Sequence, residues 1–511
     1  MKVLYSNEMR KLDQRIILEN RIPGLVLMEN AAEGLYKACL EYGEKDSKYV
    51  IICGTGNNGG DGFALARKFL TEGIDAKVFL LGSKANLKGD AKTNAGYFLK
   101  SKLLTSINTT LDIDIAIMKL SHDDVIVDAI FGTGLSREVT GLHKDTIEKI
   151  NQSKARKISV DIPSGINADT GQVLGVAVRA DFTLTFQYPK PGHFLYPGRD
   201  YKGRLRVKKI GIDEGISLYR EVKINAFSRN SKDLGLKKRE ANTHKGTYGS
   251  LVLICASKGM TGAGTMAAGA ALKGGVGLLN LCVPECVYSI FQKSTAQAIT
   301  QVMPSDEVSF SERAPDALDD VMKGMDALAV GPGISTRSAI LPLVRKALCT
   351  YDVPKVFDAD ALTMISKDTS MIGDKRGDVV FTPHPKEFSR LYGIPVAEVL
   401  EDPIRHAVSY AKSNGVNLLL KGATTVIASP YGDVSLILTG TPGMAKGGSG
   451  DVLTGLIGAF MAQGHSGYDS AILGAYIAGL AGEIAELDIG EYSMTPVDTI
   501  NKIARAVSTL K

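Results

Sequence analysis

Along the first part of the chain, short apolar runs alternate with longer stretches of helical period. The runs at 49–53, 76–81, 125–130, 157–161 and 182–186 predict strands. The stretches at 8–20, 25–42, 61–70, 90–100 and 144–150 predict helices between or before them. Alternation of this kind predicts a parallel sheet with helices on both faces. Periodicity fades from 211 to 230, then restarts with an apolar run at 250–256 and a Gly-rich helix at 261–274. Further strands are expected at 278–283, 327–330, 355–358, 378–381, 418–420 and 426–427, with helices at 338–349, 386–391, 399–413 and 451–463. The pattern therefore divides into an α/β domain over 1–215, a linker over 216–230 and a second α/β domain over 231–511.

Composition narrows the class without naming a chemistry. A chain of 511 residues suits two or three domains, and 44% apolar with 23% charged residues is ordinary for a globular protein. A net charge of +5 with no basic run interleaved with aromatics argues against nucleic acid. Six cysteines in so long a chain are no disulfide scaffold, and Cys282 and Cys286 lack the second pair or nearby His that zinc would need. The N-terminus has no apolar core of signal-peptide length, and no stretch reads as a membrane span, so a cytoplasmic protein is expected.

The chemistry concentrates in glycine-rich segments. Gly447-Gly448-Ser449-Gly450-Asp451 runs into an apolar helical segment, and a helix N-terminus opened by glycines is suited to phosphate. A carboxylate beside bound phosphate is repelled unless it serves as a base, so Asp451 reads as the group that activates a hydroxyl for phosphoryl transfer. Gly54, Gly56 and Gly59 satisfy the dinucleotide fingerprint in a strand–turn–helix setting, but the following strand ends in Gly82-Ser83-Lys84 without the ribose-binding carboxylate. An ordinary dehydrogenase is thereby disfavoured, and Asn57, Asn58 and Asp61 add side chains that a ligand can meet.

Other candidates stand where strands end. Asn58, Asp128, Asp161 and Ser164 converge if the sheet is parallel, and an oxygen set with few charges suits a hard cation of low charge. Asp128 reads equally well as a satisfied structural carboxylate. Thr382-Pro383-His384-Pro385-Lys386-Glu387 offers His384 and Glu387 to a ligand, or else Thr382 and Glu387 to a helix cap. Lys421-Gly422-Ala423-Thr424-Thr425 follows a strand and offers backbone and hydroxyl groups to a nucleotide phosphate. No Walker A sequence occurs.

Together these motifs resemble the bifunctional NAD(P)H-hydrate repair enzymes of bacteria and archaea, over nearly the whole chain and in the same order. Asn57 to Gly62, Asp128 to Gly134 and Asp161 to Gly165 are similar to the N-terminal epimerase; His244 to Gly249, Thr382 to Glu387 and Gly447 to Asp451 are similar to the C-terminal dehydratase. The resemblance implies a Rossmann-like three-layer α/β domain followed by a ribokinase-like one. It implies epimerisation of the R and S hydrates at C6, with K+ held by Asn58, Asp128 and Ser164. Hydrate contacts would come from Asn57, Asn58, Gly59, Gly60, Asp61, Gly132, Thr133, Gly134, Leu135, Ser136, Arg137, Glu138 and Asp161, the last as proton-transfer candidate. The second domain would dehydrate the S hydrate with ADP and Mg2+, giving NAD(P)H, AMP and phosphate. Its nucleotide contacts would be Lys421, Gly422, Ala423, Thr424, Thr425 and Gly450, and its hydrate contacts Ala263, Gly333, His384 and Asp451. The implied partners are NADHX, NADPHX and ADP, with a homo-oligomer and with neither nucleic acid nor membrane. One departure is visible: Gly331-Pro332-Gly333-Ile334 is followed by Ser335, where the family usually has another glycine. The rival readings are a small-molecule kinase whose first domain is a non-catalytic binding module, and a dinucleotide dehydrogenase.

Overall fold

Side chains along the strand Tyr49–Cys53 alternate between two apolar layers, with Ile51 and Cys53 on one face and Val50 and Ile52 on the other. A strand buried on both faces needs helices on both, and the computed structural model has them. It describes residues 1–101, 103–213, 222–232 and 234–510. The chain divides into two compact units, Lys2–Val222 and Lys223–Lys511 with Met1. Residues 216–221 of the expected linker lie outside the described residues, whereas Ile224–Phe227 within it forms a strand paired in parallel with Val434–Ile437.

The sheet of the first unit is parallel throughout, in the order Leu104–Ile107, Ala76–Leu81, Tyr49–Cys53, Val125–Ala129, Arg156–Val160, Phe182–Phe186, Arg204–Lys208. Helices Ser6–Leu18, Gly24–Tyr42, Asn57–Thr71 and Gly89–Ser101 cover one face; Thr110–Ile117 and Gly141–Gln152 cover the other. The order reverses direction between Tyr49–Cys53 and Val125–Ala129. Such a switch point opens a crevice beyond the carboxyl ends of the strands.

The second unit repeats the design with variations. Its strands run Ile224–Phe227, Val434–Ile437, Thr425–Ala428, Asn417–Leu420, Val379–Phe381, Lys355–Phe357, Ala327–Val330, Ser250–Ile254, Leu278–Pro284, Ile299–Met303. Only Thr425–Ala428 is antiparallel to its neighbours. One face carries Thr261–Lys273, Ser449–Ala462, Gly467–Ile489 and Pro496–Ser508, packed on Leu251, Leu253, Ala327, Val356 and Leu419. The switch point lies between Ser250–Ile254 and Ala327–Val330.

Two expectations change. The helix expected at 399–413 is two, Val396–Glu401 and Pro403–Asn414, because Pro403 cannot continue a helix and Asp402 caps the second one through Arg405 N–H. Helix Gly467–Ile489 is, by length and composition, apolar enough to cross a membrane, a segment the sequence reading passed over. In this structure 83% of its most apolar window is buried, as in the core helix of a packed domain.

Candidate active sites

In the first unit, the strand Tyr49–Cys53 runs into Gly54, and Gly56 precedes the helix Asn57–Thr71. The Asn57–Gly62 block is thus the opening of a helix. A Cβ on Gly54 would lie 2.0 Å from the carbonyl oxygen of Ile130, and one on Gly59 would lie 1.9 Å from that of Gly54, so only glycine allows this approach. The helix start faces a cavity of ≈ 790 Å³ whose wall includes Asn57, Asn58, Asp61, Gly132 to Arg137 and Asp161. Gly59 and Gly60 pack inside instead, and Glu138 is exposed off the wall. Asp13 and Lys190 also line the cavity, and the motif reading had not singled them out.

Asp161 follows the strand Arg156–Val160 with φ 63, a left-handed backbone rare for a non-glycine residue. Its Oδ1 accepts hydrogen bonds from Lys190 Nζ at 2.5 Å, Thr185 Oγ1 at 2.8 Å and Phe186 N–H at 3.3 Å. Burial would raise its pKa, but the Lys190 ammonium outweighs that and holds Asp161 below the usual carboxylate value. His193 Nδ1 accepts from Lys190 N–H, so its Nε2 donates to the Asp161 carbonyl, 2.9 Å away. Burial pushes His193 down to about 4, and the ring is neutral. Asp61 behaves oppositely to Asp161: burial and the charges of Asp161 and Asp13 push it well above the ordinary value.

Beside the cavity, Asp128 is fully buried and saturated with donors: Ser159 Oγ–H, Ser164 N–H, Ser164 Oγ–H and Ile130 N–H. These hydrogen bonds give Asp128 a structural role alongside any part in holding a cation. The Asn58 amide donates to the Phe131 carbonyl at 3.0 Å, and the Ser164 hydroxyl lies 3.2 Å from the same carbonyl. The oxygens of Asn58, Asp128, Phe131 and Ser164 thus gather at adjoining strand ends. That donor set, all oxygen with one carboxylate, fits a monovalent hard cation.

In the second unit, the strand Ala327–Val330 leads into Gly331, Pro332 and Gly333. Gly333 has φ 68, and a Cβ there would meet Met260 O at 2.7 Å and Ala263 Cβ at 3.3 Å. Ala263 and Gly333 therefore form one surface. Ser335 adopts φ 79, a left-handed backbone that favours glycine, and its N–H is held by Asp360 Oδ2 at 2.9 Å. His384 caps helix Pro385–Tyr392: its Nδ1 accepts from Lys386 and Glu387 N–H, while Glu387 Oε2 accepts from His384 N–H at 2.8 Å. The expected cap from Thr382 is absent, because its hydroxyl donates to the Phe357 carbonyl. The cap fixes Nδ1 as acceptor, so Nε2 carries the proton, 3.6 Å from Glu387 Oε1.

Lys421 organises the centre. Its Nζ binds Asp358 Oδ1 at 2.7 Å and approaches Glu387 Oε2 at 3.8 Å, while Thr454 Oγ1 donates to Asp358 Oδ2 at 2.8 Å. Gly450 lies against this group, since a Cβ on it would stand 3.4 Å from Lys421 Nζ. Gly422 and Ala423 occupy an exposed turn, Thr424 is buried and Thr425 begins the next strand. Asp451 stands in the first turn of helix Ser449–Ala462. Burial, then the nearby charge of Asp358, lift it to about 7, against the pull of Lys421. Near neutrality it exchanges a proton readily, which is what a general base requires. Sequence reading missed Asp358, Asp360 and Thr454; an Asp358-Ala359-Asp360 pair at a strand end was the available signal. Among the described residues no group of three His, Cys, Asp or Glu is placed to hold a metal. A Mg2+ ion would here take most of its oxygens from nucleotide phosphates, as that ion commonly does.

A Rossmann-like unit with a carboxylate-lined switch-point cavity, joined in sequence to a ribokinase-like unit with an aspartate at a glycine-opened helix, defines a two-site α/β enzyme. Residues 251–505 match the family described as NAD(P)H-hydrate dehydratase, and residues 24–192 the family described as YjeF-related protein N-terminus. The chain is 39% identical over 523 residues to the bifunctional NAD(P)H-hydrate repair enzyme Nnr of Moorella thermoacetica, covering 100% of this chain and 97% of that protein. It is 35% identical to the Nnr of Thermofilum pendens, over 100% of this chain and 97% of the relative. The chain belongs to the family of bifunctional NAD(P)H-hydrate repair enzymes. Among solved structures, the ADP/ATP-dependent NAD(P)H-hydrate dehydratase of Bacillus subtilis co-crystallized with ATP/Mg2+ is 29% identical, covers 54% of this chain and 95% of its own, and has a TM-score of 0.49.

Proposed function

We propose that the chain restores hydrated NADH and NADPH, its first unit interconverting the R and S hydrates at C6 and its second dehydrating the S hydrate with ADP. C6 of the hydrate bears a hydroxyl beside the ring nitrogen N1. Loss of that hydroxyl as water leaves a C6=N1 cation, and return of water to the other face inverts the centre. Asp161, held anionic by Lys190, faces this cation and forms with Lys190 a proton-transfer pair; Asn57, Asp61 and Gly132 to Arg137 hold the hydrate. Asn58, Asp128 and Ser164 would hold K+, which would supply positive charge beside the Asn57 helix start.

Hydroxide leaves poorly, and phosphate leaves well. In the second unit Asp451 takes the proton of the C6 hydroxyl as its oxygen attacks the β-phosphorus of ADP, and AMP departs. The C6–O bond then breaks with loss of phosphate, a proton leaves C5, and NAD(P)H results. Gly450 amide and Lys421 to Thr425 face the nucleotide; Ala263, Gly333 and His384 line the hydrate side. The observation that carries this reading is Asp451, lifted to about 7 beside a glycine-opened helix start. The test supplies an R/S mixture of NADH hydrate with magnesium and potassium and follows NADH absorbance with ADP, with ATP and with neither. Complete, ADP-dependent recovery is expected. Recovery that halts at the S fraction would reduce the first unit to a binding module, and none with either nucleotide would favour a small-molecule kinase.

A further inference from the structure

Helix Ser6–Leu18 buries Met9, Leu12 and Ile16, an apolar stripe of helical spacing. Asp13 falls within that stripe, next to Leu12 and one turn from Met9. A buried carboxylate without a partner is costly, and folds retain one where chemistry uses it. Asp13 Oδ1 has no hydrogen-bond partner, and the side chain lines the first unit's cavity. Asp161, after the strand Arg156–Val160, and Lys190, in the segment after Phe182–Phe186, act on its charge, and Asp13 in turn acts on Asp61 of helix Asn57–Thr71. The other charged or titratable groups of the wall are Arg10, Asp90, Arg137 and His143.

Inversion at C6 moves the hydroxyl between the two ring faces, and acid–base groups on two elements of the wall can serve one face each. The hydroxyl departs from one face of the ring, and water arrives at the other. Asp161 with Lys190 is fixed at the carboxyl edge of the sheet by three hydrogen bonds to one oxygen. Asp13 enters the cavity from a different element. We propose that Asp13 is the second acid–base residue of the epimerase, serving the ring face that the Asp161–Lys190 pair does not. The inference rests on the epimerase reading of this unit.

In one direction the Asp13 carboxyl gives its proton to the C6 hydroxyl. The C6–O bond breaks, its electron pair leaves with water, and the N1 lone pair forms the C6=N1 bond. Water then adds to the opposite face, its proton passes to the Asp161–Lys190 pair, and the N1 lone pair is restored. The reverse reaction exchanges the two roles, and solvent water returns the proton from the Asp161–Lys190 pair to Asp13 to close the cycle. Burial lifts Asp13 to about 6 in spite of Lys190, so both of its forms are populated near neutrality.

The test uses Asp13→Asn and Asp13→Ala in the full chain, with R hydrate reporting epimerisation and pure S hydrate reporting dehydration. Asp13→Asn is expected to slow epimerisation about a hundred- to ten-thousand-fold. Dehydration of S hydrate should be unchanged, the limb near pH 6 in kcat/KM for R hydrate should vanish, and added formate should partly restore Asp13→Ala. An unchanged epimerisation rate, or a loss that keeps the limb and resists formate, overturns the proposal. If Asp13→Asn lowers the unfolding temperature, Asp13→Glu decides: a retained rate with a displaced limb supports the role, and an unmoved limb overturns it. A wild-type chain that consumes S but not R hydrate defeats the epimerase reading itself, and the proposal with it.

Discussion

Both units place a carboxylate, a lysine and a glycine-opened helix beyond the carboxyl ends of strands in a largely parallel sheet, but they use the lysine differently. In the first, Lys190 binds the site carboxylate Asp161 directly, at 2.5 Å, and keeps it anionic. In the second, Lys421 binds the buried Asp358 at 2.7 Å, and Asp451 is left to be lifted to about 7. One ammonium makes a fixed negative charge, suited to a cationic intermediate. The other is engaged by Asp358, and its pull on Asp451 does not outweigh burial, so that carboxylate takes up a proton near neutrality. The partner of the lysine, more than the presence of an aspartate, decides what the aspartate does.

The largest break in this contrast is Asp451→Asn. Dehydration should fall about a hundred- to ten-thousand-fold with epimerisation intact, and equal loss of both activities would refute the assignment. The same change should raise stability, more at pH 8 than at pH 5. Asp451 has a folded pKa above its unfolded one, so it favours the fold while protonated, and that support is lost as pH rises through about 7. Thermal unfolding at the two pH values reads this directly.

Removing either lysine comes next. Lys421→Met strands Asp358, which is 2% exposed, and should cost about 3 kcal/mol in denaturant unfolding. It also removes the cationic pull on Asp451, so the acid limb of dehydration should move to higher pH. Lys190→Met should instead let Asp161 rise, so epimerisation fails at a higher pH on acidification than in wild type. The depressed pKa of Asp161 supports the fold above the ordinary carboxylate range, and that support is lost as pH falls through the folded value. Lys190→Met should therefore lose stability at pH 7 and much less in acid.

Smaller effects sharpen the picture. Asn58→Ala should raise the potassium needed for half-maximal epimerisation about tenfold while leaving dehydration of S hydrate unchanged. Ser335→Gly should stabilise by roughly 0.5 kcal/mol, because relief of a left-handed backbone slightly exceeds the added freedom of glycine.

The central strands were legible because burial on both faces writes them as continuous apolar runs: Tyr49–Cys53, Ala76–Leu81, Phe182–Phe186 and Ala327–Val330 fall where the pattern predicts. Edge strands were not. Leu104–Ile107 and Arg204–Lys208 carry polar or charged residues among few apolar ones, and only their neighbours in space make them strands. The glycines and Asp451 announced the sites, since backbone approach and phosphate binding leave local signatures. Lys190 and Thr454 left none, for their meaning arises from partners distant in sequence. Asp13 had a faint mark, a charge inside an apolar stripe, and Asp358 another, in the Asp358-Ala359-Asp360 pair at a strand end.

The apolar face of the second sheet also has a consequence for synthesis. Leu251, Leu253 and Ala327 are covered by helices Ser449–Ala462, Gly467–Ile489 and Pro496–Ser508, which leave the ribosome after every strand they cover. The first unit is contiguous and can close while translation continues. The second must wait with an oily surface in water until its final helices emerge. A slow or interrupted ribosome near codon 440 would therefore release a finished first half tethered to a sticky, unfinished second, making the nascent chain itself a client for chaperones.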